Sequence, residues 1–213
     1  MTDKTPKNID FFFDPVCPWA WITSRWIVNL TELIDLKVNW KYISLKFLNE
    51  HRIDEDYTDE YKRIHLLGLE LHRVIEGYSQ AEGPQIRGEL YGALGYKIHN
   101  QGQRSDLFEV ANIETFLKDN GFNPKYGQLA HDSSYDAIIK AENDLAIDRA
   151  GKDLGTPIIS FDPPNGYSFF GPVISNIPKG KDAVELFNAI YTIANFKGFS
   201  ELKREIREER CFD

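Results

Sequence analysis

The run Ile9-Asp10-Phe11-Phe12-Phe13-Asp14-Pro15-Val16, followed at once by Cys17-Pro18-Trp19-Ala20, constrains this chain more than any other segment. Its phenylalanines predict a buried strand over Asn8 to Phe13, closed by an Asp-Pro turn. Beyond it, Ile22, Trp26, Ile27 and Leu30 recur at helical spacing and predict a helix from Trp19 to Leu33. Cys17 therefore falls at a helix N-terminus, where unpaired N–H groups and the helix dipole stabilise a thiolate. Pro18 suits the first helical turn and fixes the entry geometry. The competing reading is an inert thiol, because free cysteine is among the most buried residue types.

Val38 to Leu45 alternates well enough for a second strand, so the chain opens β-α-β with a right-handed crossover. From Asp54 to Ala150 the strand pattern disappears and amphipathic helices take over. Ile64, Leu67, Leu71, Val74, Ile75 and Tyr78 mark one; Ile86, Leu90, Leu94 and Ile98 mark another across the Gly83-Pro84 break. Leu107, Val110, Ile113 and Leu117 mark a third, stopped by Asn120-Gly121. A fourth runs from Tyr135 to about Ala150 with Ser134 as its cap. Strand character returns at Pro157 to Phe161 and, after Asp162-Pro163-Pro164-Asn165-Gly166, at Tyr167 to Phe170, as a hairpin. A last amphipathic helix starts near Lys181, and the charged tail from Ser200 to Arg210 reads as a solvated helix. This plan is an α/β thioredoxin-like fold with an inserted all-helical domain: residues 1–48 and 151–213 form the discontinuous parent domain and 49–150 the insertion.

A formal charge of −8, with 25 basic residues scattered along the chain, argues against nucleic acid as the main partner. No stretch approaches the roughly 20 apolar residues of a membrane span. Met1 to Lys7 carries no apolar signal core, so a cytoplasmic location is expected. With only two cysteines, far apart in sequence, a disulfide framework is not expected. His51, His65, His72 and His131 show no metal-ligand spacing, and no metal is proposed.

Thr156-Pro157, at the start of a late strand, matches in position the cis-proline of thioredoxin-like proteins. A cis bond there sets the Thr156 backbone beside the Cys17 sulfur; the plainer alternative is a trans proline opening an edge strand. Trp19 and Trp21 are candidates for an apolar wall, or simply for packing.

The segment from Phe11 to Trp26 resembles the active-site region of actinobacterial DsbA-like proteins, in particular mycothiol-dependent nitroreductases. Ile98-His99-Asn100-Gln101-Gly102, Asp132 to Asp136, Gly155 to Ile159, Phe169 to Val173, Ile177 to Gly180 and Gly198 to Lys203 agree with it. The resemblance implies a homodimeric, thiol-dependent oxidoreductase with no tightly bound cofactor. Its cosubstrate is a low-molecular-weight thiol such as mycothiol, and its acceptor an electrophile or disulfide. It further implies Cys17 as nucleophile, Pro18, Trp19 and Ala20 as its motif, and Thr156-Pro157 as the cis-proline loop. Trp21, Asn49, His99 and Asn100 then line the cleft.

One position departs from that pattern. Where family members usually carry a second cysteine that resolves the mixed disulfide, this chain has Ala20. Three readings stay open: a monothiol enzyme resolved by a second molecule of small thiol, a protein that binds without turnover, or an engineered Cys→Ala variant. Cys211, the other thiol, reads as an incidental tail residue. Two alternatives of other classes also remain, a kappa-type thiol transferase or isomerase and a non-catalytic thiol-binding protein.

Overall fold

The computed structural model describes residues 6–53, 56–152 and 154–213. Met1 to Thr5, on which much of the leader reading rests, and the Asp54 boundary of the helical block lie outside them. Four strands form one sheet in the order β2-β1-β3-β4. β1 (Asn8–Phe13) runs parallel to β2 (Lys37–Tyr42), and β3 (Ile158–Phe161) runs antiparallel to both β1 and β4 (Ser168–Phe170). α1 (Pro18–Leu33) makes the crossover between the parallel pair.

The period-two alternation of a strand divides β1 between two layers. Ile9, Phe11 and Phe13 join the main core, which also holds Trp26 and Leu30 of α1. Phe187 of α7 (Gly180–Ala194) belongs to the same core, its ring beside those of Trp26 and Phe161. Phe12 points the other way, to Ile43, Ile158 and Ala146 of α6 (Asp136–Ala150). The helices between β2 and β3 are α2 (Leu45–Leu48), α3 (Asp59–Glu82), α4 (Ile86–Gly95), α5 (Val110–Asp119) and α6. α3 returns the insertion to the sheet: the ring nitrogen Nε2 of His72 lies 3.0 Å from Phe13 O. Its ion pairs hold the block closed, Arg87 Nη2 lying 2.6 Å from Glu76 and Arg73 Nε 2.7 Å from Asp136.

Three local expectations need correcting. α6 is not capped by Ser134; Asp132 instead accepts the Ser134 N–H at 3.0 Å and opens a short 3-10 turn ahead of the helix. The second insertion helix stops at Gly95 and continues as a π-helical turn over Tyr96–Asn100. The charged tail forms no helix: Ser200 to Asp213 is extended or irregular chain. It lacks the apolar stripe that would anchor a helix, and it is held by contacts to the rest of the molecule instead.

Candidate active site

Cys17 sits at the head of α1 as its N-cap. Its Sγ accepts the Ala20 N–H at 3.4 Å, and its own thiol donates to Thr156 O at 3.6 Å. The Thr156–Pro157 bond is cis. The sulfur, the Ala20 amide and the Thr156 carbonyl thus come together, although 139 residues separate Cys17 from Thr156. Thr156 Oγ1 is buried with no hydrogen-bond partner.

The expectation of a thiolate stabilised by the helix N-terminus is not met in this state. Cys17 is 4% exposed, and burial, with a smaller push from Asp14, raises its pKa to about 12 despite the Ala20 and Trp19 amides and Arg210. Loss of hydration outweighs the helix terminus. Asp14, which reads in sequence as a turn former, is fully buried, and its carboxyl caps the turn from within. It accepts Val16 N–H at 2.9 Å and Leu45 N–H at 2.8 Å, while its carbonyl accepts Cys17 N–H at 3.1 Å. Burial pushes its pKa up to about 7, against the pull of those two amides. Gly68 of α3 makes room for it, since a Cβ there would lie 2.5 Å from Asp14 Oδ1.

The π-helical turn delivers His99 and Asn100 to one wall of the site. His99 donates Nε2–H to Pro15 O at 2.9 Å and stacks on Trp21 with ring centroids 5.7 Å apart. Burial lowers its pKa to about 4, so the ring is neutral at physiological pH. Trp21 donates Nε1–H to Asn100 Oδ1 at 2.9 Å and is 2% exposed. Gly95 lets the indole approach, because a Cβ there would lie 2.2 Å from the ring. Asn49 is elsewhere in its bonding: its amide donates to Leu45 O at 2.8 Å and closes α2.

The tail forms the outer side of the site, which sequence reasoning missed. Arg207 and Arg210 lie over the Trp19 ring, at 5.1 and 5.5 Å from its centroid. Asn100 donates to Phe212 O at 2.7 Å, and the Phe212 ring lies 5.7 Å from His99. Two further bonds, Cys211 N–H to Ser175 O at 2.7 Å and Ser175 Oγ–H to Glu208 O at 3.1 Å, fasten it to the loop after β4. Phe212 is partly buried against His99, whereas its neighbour Cys211 is exposed. Cys211 therefore does not replace the thiol missing at position 20, where Ala20 is fully buried.

Among the described residues no group of three or more His, Cys, Asp or Glu side chains forms a metal site, and no helix is long and apolar enough to cross a membrane. A cysteine at the first helix of a four-stranded sheet, facing a cis-proline carbonyl, defines a thioredoxin-like thiol oxidoreductase with a helical insertion. The family model for the mycothiol-dependent nitroreductase Rv2466c matches residues 16–204, and the chain belongs to this Rv2466c-like family. The protein Rv2286c of Mycobacterium tuberculosis is 26% identical over 204 residues, covering 92% of this chain and 81% of its own. Solved structures that share the fold include these two. One is the cytosolic disulfide reductase DsbM of Pseudomonas aeruginosa with GSH (12% identity, TM-score 0.51, 73% of this chain and 86% of that one). The other is a 2-hydroxychromene-2-carboxylate isomerase (12% identity, TM-score 0.58, 87% and 93%).

Proposed function

We propose that this protein is a monothiol member of its family, in which Cys17 alone carries the exchange chemistry and a small thiol, mycothiol by family membership, both loads and releases it. The observation that carries this reading is the pairing of Cys17 Sγ with Thr156 O at 3.6 Å beside a buried Ala20 that has no sulfur to offer. With an acceptor that is itself a mixed disulfide of the small thiol, the Cys17 thiolate attacks the small-thiol sulfur, forms a disulfide with it and expels the other half as thiol. A second small thiol then attacks the small-thiol sulfur of the adduct, leaving Cys17 reduced and a symmetrical disulfide. With a nitroaromatic acceptor, the Cys17 thiol and one small thiol together supply two electrons and two protons. The products are a nitroso group, water and the same mixed disulfide, which a second thiol again clears.

Burial keeps Cys17 protonated in the resting state, so attack follows displacement of the tail from Trp19 and His99. Trp21, His99 and Asn100 hold the acceptor wall, and Thr156-Pro157 presents backbone to the incoming sulfur. Asn49 closes α2 behind them. Residues 49–150 act as a helical domain inserted in the parent fold, and the protein works in the cytoplasm as a homodimer. The test is thiol-dependent consumption of a nitroaromatic acceptor without nicotinamide or flavin, abolished by Cys17→Ser. Product that carries a stable thioether instead of releasing a disulfide would refute the reductase in favour of a transferase.

A further inference from the structure

A cavity of about 290 Å³ opens on the face of α1 that carries Trp21, Arg25 and Asn29, starting one helical turn beyond Cys17. These residues are spaced by four and line up along one side of the helix. The guanidinium of Arg25 lies flat on Trp21, its Cζ 4.2 Å from the ring centroid, and Trp21 is itself one turn, about 6 Å of helix, from Cys17. This cation is largely buried and has no acidic partner among the described residues, and its Nη2 atom is buried with no hydrogen bond at all. Lys179 lines the same cavity and likewise has no ion-pair partner among the described residues. An unpaired guanidinium in such a place is costly unless something anionic arrives to meet it.

Phe212 and Asp213 of the tail occupy the rim. The Phe212 ring lies against His99, itself stacked on Trp21, and its carbonyl accepts the side-chain N–H of Asn100. An aromatic ring and a carboxylate thus reach the cavity on adjacent residues, yet the Asp213 carboxylate forms no ion pair with Arg25 or Lys179.

We infer that this cavity is the acceptor subsite, and that it takes a planar aromatic molecule bearing an ionised oxyanion: the ring replaces Phe212 against His99 and the anion meets Arg25 and Lys179. The inference rests on the thiol-oxidoreductase reading and names its substrate class. In the resting chain the tail is an internal competitor for the subsite, and the ligand displaces it.

The test is calorimetric titration of the reduced full chain with each of three ligands alone: 4-nitrobenzoate, its neutral analogue 4-nitrobenzamide, and reduced glutathione as an anion without a ring. The expected order is the benzoate about tenfold tighter than the benzamide, as a charge-assisted contact requires, and tighter than glutathione. Phe212→Ala tightens the benzoate severalfold, and Arg25→Met removes its advantage over the benzamide. Should Arg25→Met fail to fold, Lys179→Met and a rise in ionic strength serve in its place, each weakening the benzoate and leaving the benzamide unchanged. Equal affinity for acid and amide, glutathione binding as well as the benzoate, or no response to Phe212→Ala would overturn the inference. Because titration measures binding in the absence of any reaction, these results stand apart from the adduct on Cys17 that tests the redox reading.

Discussion

Replacing Asp14 with asparagine removes the acidic group buried under the Cys17 turn, and its effect on stability can be worked out with its sign. The carboxyl has a pKa of about 7 in the folded protein against 3.8 when free. Between those values the folded state holds a proton that the unfolded state has released. Stability therefore falls as pH rises through this window, and the loss is complete above about 7. At about 1.4 kcal/mol per pH unit the whole loss is about 4 kcal/mol, of which about 3 kcal/mol falls between pH 5 and pH 8. The asparagine amide keeps one acceptor oxygen for Val16 or Leu45 and loses the other, a cost that does not depend on pH. The slope, not the absolute stability, is thus the quantity to read. Urea unfolding of wild type and Asp14→Asn at a series of pH values should show the variant gaining about 3 kcal/mol on the wild type from pH 5 to pH 8. Two parallel stability curves would refute the argument, because they would mean that the Asp14 carboxyl titrates alike in the folded and unfolded states. The same variant should lower the Cys17 pKa, since the Asp14 charge opposes the thiolate.

Three further outcomes follow from the same contacts. Deleting residues 205–213 strips Arg207, Arg210 and Phe212 from the site, so iodoacetamide at mildly alkaline pH should alkylate Cys17 faster by about two orders of magnitude as its pKa returns toward that of a free thiol; an unchanged rate would show that the tail does not bury the sulfur. Ala20→Cys places a second thiol one helical turn from Cys17, where the Ala20 amide already meets the sulfur, and thiol-dependent turnover should rise while the trapped mixed disulfide disappears from intact-mass spectra. Gly95→Ala drives a methyl into the Trp21 ring, which is 2% exposed and cannot yield, so unfolding should cost about 1–3 kcal/mol less free energy than in the wild type, measured by denaturant titration.

What the sequence revealed of this site depended on local signals. The phenylalanine run and the Asp-Pro-x-Cys-Pro turn marked β1 and the head of α1, because strand alternation and a proline at the first helical position are short-range patterns. Thr156-Pro157 stood out by its place at the start of a late strand and His99-Asn100 through family resemblance, and the structure brings both to the cysteine wall. Asp14 stayed hidden because an Asp-Pro pair reads as an exposed turn; only the return of Leu45 and α3 over it makes it a buried acceptor. Arg25 sits among apolar residues of α1 and carried no sign that it would lack a counter-charge. The tail was the largest miss. A charged run reads as a solvated helix, whereas here Arg207 and Arg210 find the face of Trp19 and Phe212 finds His99, partners that lie far away in sequence. Burial of the sulfur, with a smaller push from Asp14, explains why a helix N-terminus did not by itself yield a low thiol pKa.

Intact-protein mass spectrometry after incubation with oxidised mycothiol asks most directly whether a single sulfur does the work. The account predicts one mycothiol adduct, mapped by peptide digestion to Cys17, that persists on standing and clears only when reduced mycothiol is added. An adduct confined to Cys211, or a Cys17 that takes up no thiol even with the tail removed, would contradict it.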